Sequence, residues 1–312
     1  MRLQRVLSLA VLMAVVGLSA MAQMDSPPQG TATAPEAAPD ARPGLSKYGQ
    51  PVTTEINAPQ MITIKGADRD LSGYFVTPKL EMSETKRPSV ILIHDIFGMT
   101  DWIKSFANDL AKQGYTVIVP NLYSRVEGSD KGLDAAAAAK AYAGMSDQQA
   151  VGDIHAALEY LEQEGQPTAK QPIAVVGVDM GGIYAMESAG RELRISAAVN
   201  FYGRLLYANT TSDRPVSPVQ SLFNLQVPLL SFYGTLDPQV PADQVKLLSQ
   251  RLANNPNHIY YETVQFPGVG HGFMEPGREG YNAEADKDAR AKMRAFLARY
   301  LRAEPAKDDT AI

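Results

Sequence analysis

Ile173-Ala174-Val175-Val176-Gly177-Val178-Asp179-Met180-Gly181-Gly182 is the stretch that decides the fold. Its first residues are small and β-branched apolar types, the composition of a buried strand. Its centre, Gly177-x-Asp179-x-Gly181, has glycines two places either side of a polar residue, as in a strand that turns sharply into a helix and exposes one reacting side chain. Glycines permit the strained turn and the close helix–strand packing it needs, so the side chain at 179 is pushed out at the top of a sheet. Serine or cysteine is expected at such a position, and this chain has an aspartate.

Outward from this stretch, strand and helix signals alternate. Met61–Lys65 and Leu71–Thr77 read as an opening hairpin, and Ser89–His94 and Thr116–Pro120 as buried strands. Between them Ile103, Phe106, Ala107, Leu110 and Ala111 fall on one helical face that Gly114 ends. Asp134–Ala143 predicts an alanine-rich helix. Ser146-Asp147-Gln148-Gln149 reads as a capping box opening a helix with Val151, Ile154, Leu158 and Leu161 inward. Strands at 195–201, 228–233 and 259–264 and helices at 242–252 and 284–302 complete the pattern. The expected fold is α/β: a mostly parallel, doubly wound sheet with helices on both faces.

Two further signals stand at carboxyl ends of expected strands, where open α/β sheets place their sites. One is Tyr233-Gly234-Thr235-Leu236-Asp237-Pro238, a turn bearing an acid. The other is Gly268-Val269-Gly270-His271-Gly272-Phe273, a histidine between glycines. Each alone is an ordinary turn. Together with Asp179 they run in the order nucleophile, acid, histidine, which suits a base beside the attacking group and a carboxylate that orients the base.

Composition bounds the rest. Met1–Arg5 is basic, Val6–Leu18 apolar, and Ala20-Met21-Ala22 offers a cleavage site, so residues 1–22 read as a signal peptide and the product as periplasmic or secreted. Residues 23–52, rich in Pro and Ala without hydrophobic period, read as a disordered linker; 53–303 is one domain and 304–312 a flexible tail. The formal charge of −5 becomes more negative when Arg2 and Arg5 leave, which argues against nucleic acid or an anionic membrane as partner. No cysteine is present, which excludes disulfides, thiolate catalysis and a lipid anchor, and fits an oxidising compartment. Four histidines without paired spacing argue against a metal, and no cofactor is implied. The expected partner is a small-molecule substrate or ligand; the oligomeric state is not legible.

With these motifs in view, the chain from about Met61 to Tyr300 resembles the dienelactone hydrolase family of α/β-hydrolases. The match also runs through His94-Asp95-Ile96-Phe97-Gly98, Pro120-Asn121-Leu122-Tyr123-Ser124-Arg125 and His271-Gly272-Phe273. The resemblance implies catalytic roles for Asp179, where the family has cysteine, and for Asp237 and His271. It implies an oxyanion hole from the backbone N–H of Met180 and of Ile96, and a substrate carboxylate received by Arg125. Asp95 replaces a glutamate that contacts the nucleophile. Glu275 stands where a second carboxylate-binding arginine is found, with Arg278 close enough to substitute. Tyr123 and Phe273 are further substrate-binding candidates. Tyr74, Trp102 and Tyr207 read as packing in the first instance, and His94 and His155 as structural.

An ionised aspartate can displace a leaving group from saturated carbon, as in haloalkane dehalogenases and epoxide hydrolases. Those proteins carry a helical cap, for which the interval Arg204–Gln226 is too short. Carboxylate attack on an ester gives an anhydride more reactive than the ester itself. Three readings stand: a hydrolase of a small ester or lactone built on Asp179, Asp237 and His271; a catalytically silent relative that binds a ligand or partner; and an Asp-nucleophile hydrolase of epoxides or haloalkanes. Asp95 has two readings of its own. It shares a proton with Asp179, or it binds backbone N–H groups and shapes the loop.

Overall fold

The computed structural model describes residues 54–79 and 87–301; the signal-peptide, linker and tail readings lie outside them. Strands β1 (Gln60–Lys65), β2 (Asp70–Val76), β3 (Ser89–Ile93), β4 (Thr116–Pro120), β5 (Ile173–Val178), β6 (Ile195–Phe201), β7 (Leu229–Gly234) and β8 (Tyr261–Phe266) form one sheet. Their order is β1-β2-β4-β3-β5-β6-β7-β8. The β1–β2 and β2–β4 pairs are antiparallel and every later pair is parallel.

Burial explains the composition of the centre. Every residue of β3 and of β5 is buried, because helices cover both faces, so neither strand alternates apolar with polar residues. The edge strand β8 is only partly covered and carries Glu262, Thr263 and Gln265.

Helices α1 (Asp101–Ala111), α2 (Ala135–Ala143), α3 (Asp147–Glu162), α4 (Met180–Ala189), α5 (Pro218–Ser221), α6 (Ala242–Ala253) and α7 (Ala283–Tyr300) connect the strands. Helix α1 buries the five residues whose spacing predicts its inner face, and the Thr100 side chain accepts from Ile103 N–H at its start. Asp134 caps α2 through Ala137 N–H, and Ser146 caps α3 through Gln149 N–H. Each such cap contributes about 1 kcal/mol.

Two departures have local causes. Strand β8 begins at Tyr261, not Ile259. Asn255, whose Nδ2 donates to the carbonyls of Leu222 and Leu225 and whose Oδ1 accepts from Asn257 N–H, holds the preceding turn and delays pairing. The alternating charges of Glu284–Arg294 on α7 suggest a solvated helix face, and part of that face is packed instead. Arg290 Nε donates to Asp286 at 2.6 Å, and the guanidinium lies 4.3 Å over the Phe106 ring of α1. Between β6 and β7 the described structure holds only α5 and a single 3-10 turn at Leu222–Asn224.

Candidate active site

The turn between β5 and α4 has the geometry its glycines predict. Asp179 sits at φ 53°, ψ −113°, an unfavourable conformation for a residue with a side chain. Such a position costs about 1–3 kcal/mol and persists only where its surroundings enforce it. The enforcement is steric. A Cβ at Gly177 would meet Gly181 O at 1.9 Å, and a Cβ at Gly181 would meet Ile93 O at 2.2 Å. Helix α4 therefore starts hard against β3 and β5, and the Asp179 side chain is left 22% exposed above the sheet.

Two loops bring the acid and the histidine to it. Asp237, its side chain fully buried, accepts from Gln239 and Val240 N–H through Oδ1. Its Oδ2 lies 2.8 Å from His271 Nδ1. The other ring nitrogen, Nε2, lies 3.0 Å from Asp179 Oδ1. Burial opposes a charge on this imidazole, but the two carboxylates outweigh it and raise its pKa to about 9. Below that pH the resting group is an imidazolium between two carboxylates, with both ring nitrogens as donors.

The loop after β3 closes the opposite side. Ile96 N–H donates to Asp179 Oδ2 at 3.4 Å, a long contact, so an expected oxyanion donor points at the enzyme's own carboxylate. Met180 N–H is the first amide of α4 and has no partner within the helix. Phe97 N–H donates to Asp95 Oδ1 at 2.9 Å. Consecutive amides of one turn thus hold the Asp179 and Asp95 carboxyls. Burial, reinforced by the Asp179 charge, raises Asp95 to a pKa of about 7, against the Phe97 bond that lowers it. The Phe97 bond fits the loop-shaping reading of Asp95, and its raised pKa fits a carboxyl that competes with the Asp179 charge. Arg278 lowers Asp95 and Glu275 raises it, and these two side chains pair at 2.7 Å. The Arg278 guanidinium also lies 3.6 Å over Phe97.

Three of the substrate-binding candidates, Arg125, Phe273 and Tyr123, are already engaged or buried. Arg125 does not offer a free guanidinium to a substrate. It donates to Asp153 at 2.7 and 3.0 Å and to Asp68 at 2.6 and 3.3 Å, tying the β1–β2 turn to α3. Phe273 has no exposed surface and packs edge-on against Tyr202 and Phe266. Tyr123 is equally buried, with its hydroxyl 3.2 Å from Met180 Sδ. Tyr74 bonds Asn108, Tyr207 bonds Asp147, and Trp102 packs on Phe106. His94 is structural: Nε2 accepts from Leu122 N–H, Nδ1 donates to Asp95 O, and burial lowers its pKa to about 4. His155 pairs with Glu192 on the helical surface. No group of three His, Asp or Glu among the described residues is placed to hold a metal ion.

One neighbour was missed. Tyr202, at φ 43° just past β6, stands edge-on to His271 with ring centroids 5.0 Å apart. Asn200 Oδ1 accepts from Gly203 N–H and sets that turn. The available signal was Asn200-Phe201-Tyr202-Gly203 itself, a strand end beside the Asp179 strand that finishes on a polar residue and a glycine.

Comparison with known proteins places this geometry. Residues 71–301 match the family described as "Dienelactone hydrolase family". A Bradyrhizobium protein named "Probable 2-oxo-3-(5-oxofuran-2-ylidene)propanoate lactonase" is 31% identical over 202 residues, 65% of this chain and 79% of its own length. A Yersinia pestis protein named "Putative carboxymethylenebutenolidase" is 30% identical over 243 residues, 74% of this chain and 84% of its own length. The crystal structure of a Klebsiella pneumoniae protein, "Putative Dienelactone Hydrolase", superposes with a TM-score of 0.71 at 26% identity, over 79% of this chain and 100% of that one. The fold is that of the α/β-hydrolases without a large cap.

Proposed function

Because the chain belongs to the dienelactone hydrolase family and is a hydrolase of that type, we propose that it opens a small ester or lactone by direct attack of water beside Asp179. The observation that carries this reading is the single imidazole hydrogen-bonded to Asp237 at 2.8 Å and to Asp179 at 3.0 Å. A hydrolase needs an oriented proton carrier at that point, whereas a binding site does not. The names of the relatives, a lactonase and a carboxymethylenebutenolidase, support the same bond type.

The residue types set the route. Attack by Asp179 on the acyl carbon would give an anhydride, uphill from the ester. Asp179 instead takes a proton from water as the water oxygen bonds to the acyl carbon. His271, already an imidazolium, gives its Nε2 proton to the leaving oxygen. The proton on Asp179 then returns to Nε2 along their hydrogen bond, and both groups are restored. Ile96 and Met180 N–H face the developing oxyanion once substrate displaces Asp179 Oδ2 from Ile96. Asp179 opposes that oxyanion until it takes its proton, so the enzyme is slow beside one with a neutral nucleophile. The signal-peptide reading makes this an exported activity, periplasmic or secreted.

A second reading has one observation in its favour. The Ile96 N–H already bonds Asp179 Oδ2, so the site is filled by its own carboxylate, as suits a silent, ligand-binding relative. The pH–rate profile on a panel of small esters and lactones separates the two. The proposed route needs a protonated His271, so turnover falls as pH rises through about 9. A rate that climbs through neutrality to a plateau at high pH contradicts it, and no turnover on any member favours the silent reading.

A further inference from the structure

An acyl carbon already stands among the reacting groups of this site: the Cγ of Asp179. Its Oδ1 lies 3.0 Å from His271 Nε2 and its Oδ2 3.4 Å from Ile96 N, a proton donor and an expected oxyanion donor. Serine or cysteine at such a turn has no carbonyl carbon for these groups to act on; aspartate has one. The backbone supplies the missing nucleophile. Around the Cα–C bond of an L-residue, Cβ lies roughly 120° from the nitrogen on the negative side, so a ψ of about −120° brings the next nitrogen into line with Cβ. Asp179 has ψ −113°. The Met180 nitrogen and the Asp179 Cβ are therefore almost eclipsed, as they are in a five-membered imide ring. A helical ψ of about −42° or a strand ψ of about +135° holds the two well apart.

We propose that Asp179 is a site of self-modification, at which the Met180 nitrogen attacks Cγ and closes a succinimide. The N–Cγ bond forms and the Cγ–Oδ1 bond breaks. His271 Nε2 gives one proton to the departing oxygen and Met180 N gives the other. One water leaves, the imide is neutral, and His271 regains its proton from solvent. Ile96 N–H faces Oδ2, which carries the charge between bond making and bond breaking. Water then reopens the ring at either carbonyl. Attack at Cγ restores Asp179, and attack at the main-chain carbon leaves isoaspartate, with an extra methylene in the backbone. That atom lengthens a turn whose two ends are packed backbone to backbone, since a Cβ at Gly177 would meet Gly181 O at 1.9 Å. The residue is then displaced from His271. The proposal needs no substrate and stands apart from the proposed hydrolysis.

The test keeps the full chain without substrate for days near neutral pH, folded and in urea, and weighs its peptides after digestion in mild acid. The expected result is an Asp179 peptide lighter by one water. It forms at least roughly tenfold faster in the folded chain, because the fold holds the reacting atoms together. Mild alkali then converts it to a mixture of aspartate and isoaspartate. Two other aspartates serve as controls and stay intact. Asp153 lies within α3 at a helical ψ, and Asp237 precedes Pro238, which has no N–H to close a ring. In Asp179→Asn the same ring closes with loss of ammonia, and His271→Gln slows the parent reaction roughly tenfold or more. An Asp179 peptide that stays intact, water loss no faster when folded than in urea, equal loss at Asp153, no ammonia loss in Asp179→Asn, or an unchanged rate in His271→Gln would overturn the proposal. In heavy-oxygen water this route labels residue 179 without substrate and labels isoaspartate too, whereas label gained through turnover requires substrate.

Discussion

At residue 179 the strained turn and the side chain argue in different directions. The backbone at φ 53° presents a reacting group, and the glycines at 177 and 181 allow the close helix–strand packing around it. The carboxylate that occupies the position turns the usual proton logic around, because it holds His271 in its charged form. Asp179→Ser removes one of the two carboxylates that raise His271, so the imidazole titrates lower and becomes a base. The expected outcome is faster hydrolysis of small esters, with a rate that now rises with pH; a variant slower than the parent at every pH contradicts the account.

Asp95 offers a stability counterpart. Its folded pKa of about 7 stands above its ordinary value of 3.8, so the folded state binds the extra proton between them. Stability from this group is present below about pH 4 and is lost as pH rises through 7. Asp95→Asn keeps an oxygen for Phe97 N–H and carries no charge. Its melting temperature should exceed that of the parent at pH 8 by several degrees and match it near pH 4. Equal melting at both values would remove the burial and charge argument for Asp95.

At the scale of elements, what was legible in the sequence and what was not divide along a physical line. Local signals held: the apolar runs of β3 and β5, the five inward residues of α1 and the Ser146 cap of α3 depend on near neighbours. Side-chain direction across distant elements did not, as Arg125 illustrates. The family resemblance implied a ligand-binding cation there, but its partners Asp68 and Asp153 lie 57 and 28 residues away, and no local pattern announces them. Tyr202 was missed for the same reason, since its contact with His271 joins the ends of β6 and β8. Asp153 is nearly buried, so removing its cation leaves an uncompensated charge. Arg125→Gln should then destabilise the fold by roughly 3 kcal/mol in denaturant unfolding, more than a surface ion pair would. A loss under about 0.5 kcal/mol would return Arg125 to the list of residues free to bind substrate.

At the scale of the whole molecule, the sheet order decides what can meet. Strands β3, β5, β6, β7 and β8 lie side by side and parallel, so the loops after their carboxyl ends gather Asp95, Asp179, Tyr202, Asp237 and His271 from widely separated stretches. The three motifs in the order nucleophile, acid, histidine made that gathering readable in advance. The reaction was less readable, because it depends on the charge each group carries inside the assembled site. Water, and not Asp179, is the proposed attacking group. Turnover of a small ester or lactone in heavy-oxygen water, followed by mass analysis of the peptide containing Asp179, tests this most directly. The expected result is label in the product acid and an unlabelled Asp179 peptide after many turnovers. Heavy oxygen in the Asp179 carboxylate would show a covalent intermediate at that residue, an anhydride or an alkyl ester, and contradict it.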